Sequence, residues 1–166
     1  EECQALFVSE TGNFFCRINE TDHVKLAGYK SGLNFQPLFE ELYFIDEKMQ
    51  EKVQYAANFN FGYINSSINN TGTGLKCSFW CYIPAIVFSK SLEEIEKIVL
   101  EKNCILKPAV QNKYKHDFPI ALFEVSNVTC QKGTEFDQMA EILAIAALIL
   151  KTERKIREKL ADNSRT

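Results

Sequence analysis

Glycine and proline are scarce in this chain of 166 residues, at 7 and 4, which excludes collagen-like and Pro/Gly-rich low-complexity classes. No apolar run reaches the ~18–20 residues a membrane-spanning helix needs, so no span is expected. A basic excess is also missing. Lys and Arg number 19 against 22 acids, for a net charge of −3, and no nucleic-acid partner is expected from that balance. Histidine is limited to His23 and His116. The small-residue run Thr71-Gly72-Thr73-Gly74 lacks the glycine spacing and the following Lys-Ser/Thr of a phosphate-binding loop, so it reads as a flexible, glycan-bearing loop. No Gly-x-Ser-x-Gly nucleophile elbow occurs. What is present is a composition with 46% hydrophobic residues, enough apolar surface to offset the entropy of folding into one compact domain.

Six cysteines stand at Cys3, Cys16, Cys77, Cys81, Cys104 and Cys130. An even count with no second close pair fits a disulfide framework better than a zinc site, so no metal and no cofactor is expected. Extended backbone over 75–83 would hold Cys77 and Cys81 about 13 Å apart, too far to bridge each other. They are then expected to reach Cys3 and Cys16, leaving Cys104 for Cys130. Four glycan acceptor patterns begin at Asn19, Asn65, Asn69 and Asn127, against roughly one expected by chance from 12 Asn and 17 Ser or Thr. Paired cysteines and acceptors together predict a secreted or ectodomain glycoprotein.

Along the chain, residues 4–9 and 14–19 read as two strands around the turn Thr11-Gly12-Asn13, with 23–29 as a third. Leu38, Leu42, Ile45, Met49, Val53 and Ala56 describe one face of a helix over 38–57. Alternation predicts a strand over 58–64, and 75–88 is rich in β-branched and aromatic residues with Pro84 as a break. Ser91 and Glu94 form a capping-box pattern at the start of a helix over 92–103. Two strands follow, 104–110 and 119–129, and Thr134 with Asp137 opens a long helix to Asp162. The order predicts an α+β fold, a mostly antiparallel sheet with helices on one face. Its expected parts are a disulfide-bonded domain over 1–133, the helix 134–162 packed on it and buried on most sides, and a polar tail over 163–166.

With no strong catalytic pattern, the expected function is binding of a protein partner, not catalysis. Lys107, Lys113, Lys115 and His116 form a local basic segment, and Phe79, Trp80 and Tyr82 an aromatic cluster, the two expected to make the interface. The basic segment would also suit an acidic or sulfated glycan. Two alternatives remain. A secreted ribonuclease-like hydrolase would use His23 and His116 as acid and base with Lys113 or Lys115 stabilising charge. A secreted toxin would act through the apolar stretch Met139 to Leu150, which equally offers an interface for a homo-oligomer.

Overall fold

The structure, a computed structural model, describes residues 3–110 and 121–163. The chain divides into two compact units: residues up to Leu75 together with Cys130–Lys132, and the remainder from Lys76 onward.

The first unit is built on a three-stranded antiparallel sheet of β1 (Ala5–Val8), β2 (Phe14–Ile18) and β3 (Val24–Gly28), in that order. The expected turn joins β1 to β2: Gly12 sits at φ +73° and its N–H donates to Ser9 O. Helix α1 (Phe35–Gln50) packs on β3, where Gly28 leaves room for the Phe14 ring and Leu38. An ion pair between Lys30 and Glu41 ties the two elements. The helix starts three residues before the expected position, with Pro37 in its first turn, where a missing N–H costs nothing. It stops at Gln50 instead of 57, and Ala57 and Asn58 belong to a strand.

The expected strand over 58–64 is instead a small hairpin of β4 (Ala57–Asn58) and β5 (Gly62–Tyr63). Asn58 causes the turn: its side-chain oxygen accepts from Asn60 N at 2.8 Å, competing with extended backbone. Phe59 at the tip is fully exposed.

The second unit holds the sheet β6 (Ser78–Tyr82), β8 (Leu122–Asn127) and β7 (Cys104–Pro108), all antiparallel with β8 central. Period-two alternation sends Phe123 and Val125 of β8 and Cys104 and Leu106 of β7 to one face, where they are buried. Ile142, Ile145 and Ile149 of the 29-residue α4 (Glu135–Asn163), Ala85 and Ile86 of α2 (Pro84–Phe88), and Ile95 and Val99 of α3 (Leu92–Glu101) complete that core. Pro84, read as a break, is the first residue of α2. The α+β class, the antiparallel pairing and the long C-terminal helix agree with the sequence. The expected burial of that helix on most sides does not: one face is buried, and Leu143 and Leu150 are exposed on another.

The two expected caps part company. Ser91 makes no side-chain bond to the α3 backbone; its hydroxyl accepts from Ser89 Oγ. At α4, Thr134 N and Oγ1 each donate to Asp137 Oδ2 at 2.8 Å, and Asp137 N donates back to Thr134 Oγ1 at 3.2 Å. The backbone N–H of Thr134, then its hydroxyl, holds the Asp137 carboxyl below the ordinary aspartate range. A depressed carboxyl stabilises the fold above its unfolded-state value and loses that contribution as pH falls through the folded one. Asp137→Asn is therefore expected to melt below wild type at neutral pH. The gap should close in acid, as read by thermal melts across a pH series.

Candidate functional site

In the first unit the turn between β2 and β3 is clipped to the loop over 65–73. Asp22 Oδ1 accepts from Ser67 N at 3.2 Å and Oδ2 from Asn70 Nδ2 at 2.6 Å. The loop is further knitted by Asn65 Nδ2 donating to Asn70 O and by Cys130 N donating to Asn69 O, at 2.7 and 2.8 Å. Gly72 pairs with Tyr63 in both directions, and Thr73 N donates to Cys130 O. This segment, expected to be a flexible loop, is thus pinned from three sides. Arg17 of β2 lies directly across from Lys25 of β3. Two like charges opposite each other repel. Glu20 relieves this by pairing with Arg17 at 2.6 Å, and the guanidinium also lies over the Phe15 ring.

In the second unit the sheet face away from the helices carries exposed side chains among the described residues. Alternation places Trp80 and Tyr82 there, 67% and 65% exposed. The register sets Trp80 of β6, Glu124 of β8 and Lys107 of β7 in one row across the three strands, with Leu122 opposite Tyr82. Three expected binding residues (Trp80, Tyr82 and Lys107) therefore share one surface. Phe79 does not: it alternates to the helix-covered face, opposite the fully buried Val125. The arrangement offers two aromatic platforms, one cation and one carboxylate on a flat sheet, groups that stack on a planar ring and hold charge beside it. Lys113, Lys115 and His116 lie outside the described residues. His23 is exposed, with Nδ1 3.4 Å from Asn19 Oδ1. Among the described residues no group of three or more His, Cys, Asp or Glu side chains is placed to hold a metal.

The disulfide expectation is overturned. All six cysteines stand as thiols with no bridge among them. Cys77, Cys104 and Cys130 are buried thiols, and Cys130 Sγ donates to Leu75 O at 3.0 Å; an even count cannot distinguish such thiols from a framework. Burial, then the neighbouring charge of Glu153, pushes the Cys81 thiol up to about 11, so it is no nucleophile at neutral pH. The glycan expectation also loses its footing. Asn127 is 4% exposed, accepts from Cys77 N at 2.8 Å and donates to Thr129 O. The amide nitrogens of Asn19 and Asn65, which a glycan would have to occupy, are committed to Cys3 O and Asn70 O.

Two structurally decisive groups were not singled out from the sequence. Asp22 follows the acceptor pattern Asn19-Glu20-Thr21, with no local hint of its partners 45 and 48 residues away. Glu153 lies in the charged end of α4, yet its side chain is 5% exposed and bonded to the start of α2.

An antiparallel sheet backed by helices on one face, with aromatic and charged groups on the other, defines an α+β domain. The family described as ATP:guanido phosphotransferase, C-terminal catalytic domain, matches residues 1–156, and the chain belongs to that family. It is 28% identical to a protein-arginine kinase of Bacillus mycoides (strain KBAB4), over 98% of this chain and 46% of that protein. The chain thus spans about half the length of the curated relatives it matches. Two solved structures share its fold. A substrate-free duplicated taurocyamine kinase of Schistosoma mansoni has a TM-score of 0.77 at 21% identity, covering 90% of this chain and 20% of that one. A lombricine kinase has a TM-score of 0.78 at 20% identity, covering 94% and 43%.

Family membership corrects the functional expectations. The chain is not a secreted or surface glycoprotein that works by binding a protein, nor a ribonuclease or a toxin, because its family is one of phosphotransferases. The expectation of a non-enzyme falls with the same match. So does the extracellular placement, which rested on bridges that are absent and on four acceptor asparagines, three of which (Asn19, Asn65 and Asn127) have side chains otherwise engaged.

Proposed function

We propose that this chain contributes to phosphoryl transfer between ATP and a guanidino group. The match to the phosphotransferase family over residues 1–156 carries the reading. In the forward direction the bond from the γ-phosphorus to the β-phosphate bridging oxygen breaks, a P–N bond forms, the guanidino nitrogen gives up one proton, and ADP leaves. Such a transfer asks the protein mainly for positioning and for charge placed against the phosphates. Trp80 and Tyr82 supply stacking surface for the base, and Lys107, in the same row as Trp80, supplies positive charge beside it. The printed name of the Bacillus relative makes a protein arginine side chain the first acceptor to try.

Trp80 is the single tryptophan of the chain, so its emission reports on that face alone. Titration with ATP or ADP is expected to change it saturably. By calorimetry, Trp80→Ala should weaken nucleotide binding about tenfold, the lower part of the ~1–3 kcal/mol that base–aromatic stacking contributes. Phosphorus NMR of the chain with ATP and an arginine-containing peptide, or free guanidino compounds, should show a new phosphoramidate. Unchanged Trp80 emission at saturating nucleotide would remove the sheet face from the reading. Absence of any phosphoramidate with every acceptor would remove the transfer.

A further inference from the structure

Strand β1 is the outer strand of the first unit's sheet, and among the described residues no strand pairs with its free edge. Its side chains are exposed on both faces: Leu6 is 60%, Phe7 62% and Val8 59% exposed. Folded proteins commonly guard such an edge with a charge, a proline or a bulge. The run Ala5-Leu6-Phe7-Val8 has none of these, and its register with β2 advances residue by residue without a slip.

The direction of the unpaired main-chain groups follows from two bonds at the ends of the strand. Ser9 N donates to Phe14 O at 2.9 Å, and Cys3 O accepts from Asn19 Nδ2 at 3.0 Å, so the odd-numbered residues turn toward β2. Alternation sends the N–H and C=O of Gln4, Leu6 and Val8 to the free edge. A second copy meets this edge antiparallel about a two-fold axis. Each side chain then keeps its own face of the sheet, so a residue at the axis lies opposite itself. With Leu6 at the axis, the outward groups of Gln4, Leu6 and Val8 meet those of the partner's Val8, Leu6 and Gln4, and each such pair exchanges two hydrogen bonds. The pairs between them set Phe7 opposite the partner's Ala5, a large side chain over a small one where strands approach most closely. No charge is buried by this pairing, because residues 4–8 carry none.

We propose that two copies of the chain join edge to edge through β1, antiparallel about Leu6, so that the three-stranded sheet of one continues into that of the other. The contact is one strand wide, below the size of a standard interface, so the dimer is weak and depends on concentration. It stands apart from the phosphotransfer reading, which uses strands of the other unit.

Sedimentation equilibrium of the 166-residue chain tests this, with far-UV circular dichroism confirming that each variant is folded. Glu10 follows the ladder in each copy and the first 16 residues hold no base, so raised salt screens like charges and is expected to tighten the pair. Leu6→Pro removes an N–H that faces outward and that the monomer does not use, a position where an edge strand tolerates proline. It is expected to raise the dissociation constant at least about tenfold, or ~1.4 kcal/mol. Leu6→Lys, which sets two like charges opposite each other, should do the same without touching the main chain. Amide exchange at Leu6 and Val8 should slow as concentration rises, while Phe7, bonded to β2, stays protected throughout. A wild-type chain that stays monomeric up to roughly millimolar concentration overturns the proposal. So does a dimer of undiminished affinity in both variants, or one in which the Leu6 and Val8 amides exchange as fast as in the monomer.

Discussion

Gly72→Ala is expected to lose roughly 3–5 kcal/mol of stability in urea unfolding, the sum of backbone strain, a steric clash and broken hydrogen bonds. Gly72 has φ +119°, a region essentially restricted to glycine. A methyl group there would lie 2.3 Å from Cys130 O and 3.0 Å from Gln131 Cα. Both are backbone atoms, so no side chain can swing aside. Relief requires moving the 130–132 segment away. That breaks the bond from Thr73 N to Cys130 O and strains the bond from Cys130 N to Asn69 O, at 3.0 and 2.8 Å. The other side is closed as well, since Gly72 O lies where a side chain at Gly62 would begin. Gly12→Ala is the matched comparison. Gly12 also has positive φ, +73°, but nothing lies within 4 Å of the added carbon, so only the left-handed penalty of about 1–2 kcal/mol applies. Equal losses in the two variants would show that the three backbones are not in close approach.

Glu153→Ala is the second large effect, at roughly 3 kcal/mol. The carboxylate accepts from Ala85 N and Ile86 N, each at 3.0 Å, and from Arg157 Nε at 2.7 Å. Ala85 and Ile86 follow Pro84 at the start of α2, where N–H groups have no partner within the helix. Ile83, the residue at the cap position, provides no side-chain bond. Glu153 therefore caps α2 from a helix 67 and 68 residues later. Its removal leaves two buried donors unsatisfied, each worth about 1–3 kcal/mol. Glu153→Gln keeps one acceptor oxygen and should lose about half as much. Arg157→Ala should lose less again, because that side chain is half exposed and its ion pair is screened. Amide exchange at Ala85 and Ile86 should accelerate in Glu153→Ala. Protection as in wild type there would show that the cap is not what holds α2.

Much of the local architecture was legible before any coordinates. The β1–β2 hairpin followed from Thr11-Gly12-Asn13 between two apolar runs, and strands β7 and β8 from two further apolar runs. The cap of α4 followed from Thr134 and Asp137. Each of these depends on residues a few positions apart. The same local rules failed where another group competed for the same atoms. Asn58 turned an alternating stretch into a hairpin, and the Ser91 hydroxyl went to Ser89 in place of the α3 backbone.

The functional reading went wrong for a different reason. Six cysteines and four acceptor patterns are counts, and a count carries no distance. Nothing in the count separates a bridged pair from thiols packed as small apolar groups, or an exposed asparagine from Asn127 holding Cys77 N in the core. Trp80 and Tyr82 are two apart, and alternation alone sends them to one face. That Lys107 joins them needed the pairing of both strands with β8.

Periodicity and turn chemistry alone determined the β1–β2 hairpin, the body of α1 and where α4 begins, because those preferences act within a turn or a strand. Tertiary structure decided that Asp22 clamps residues 45 and 48 positions away, that Gly72 must leave room for Cys130, and that Glu153 serves α2. Such pairings follow from the register of whole elements against one another, a property that no short stretch of chain contains.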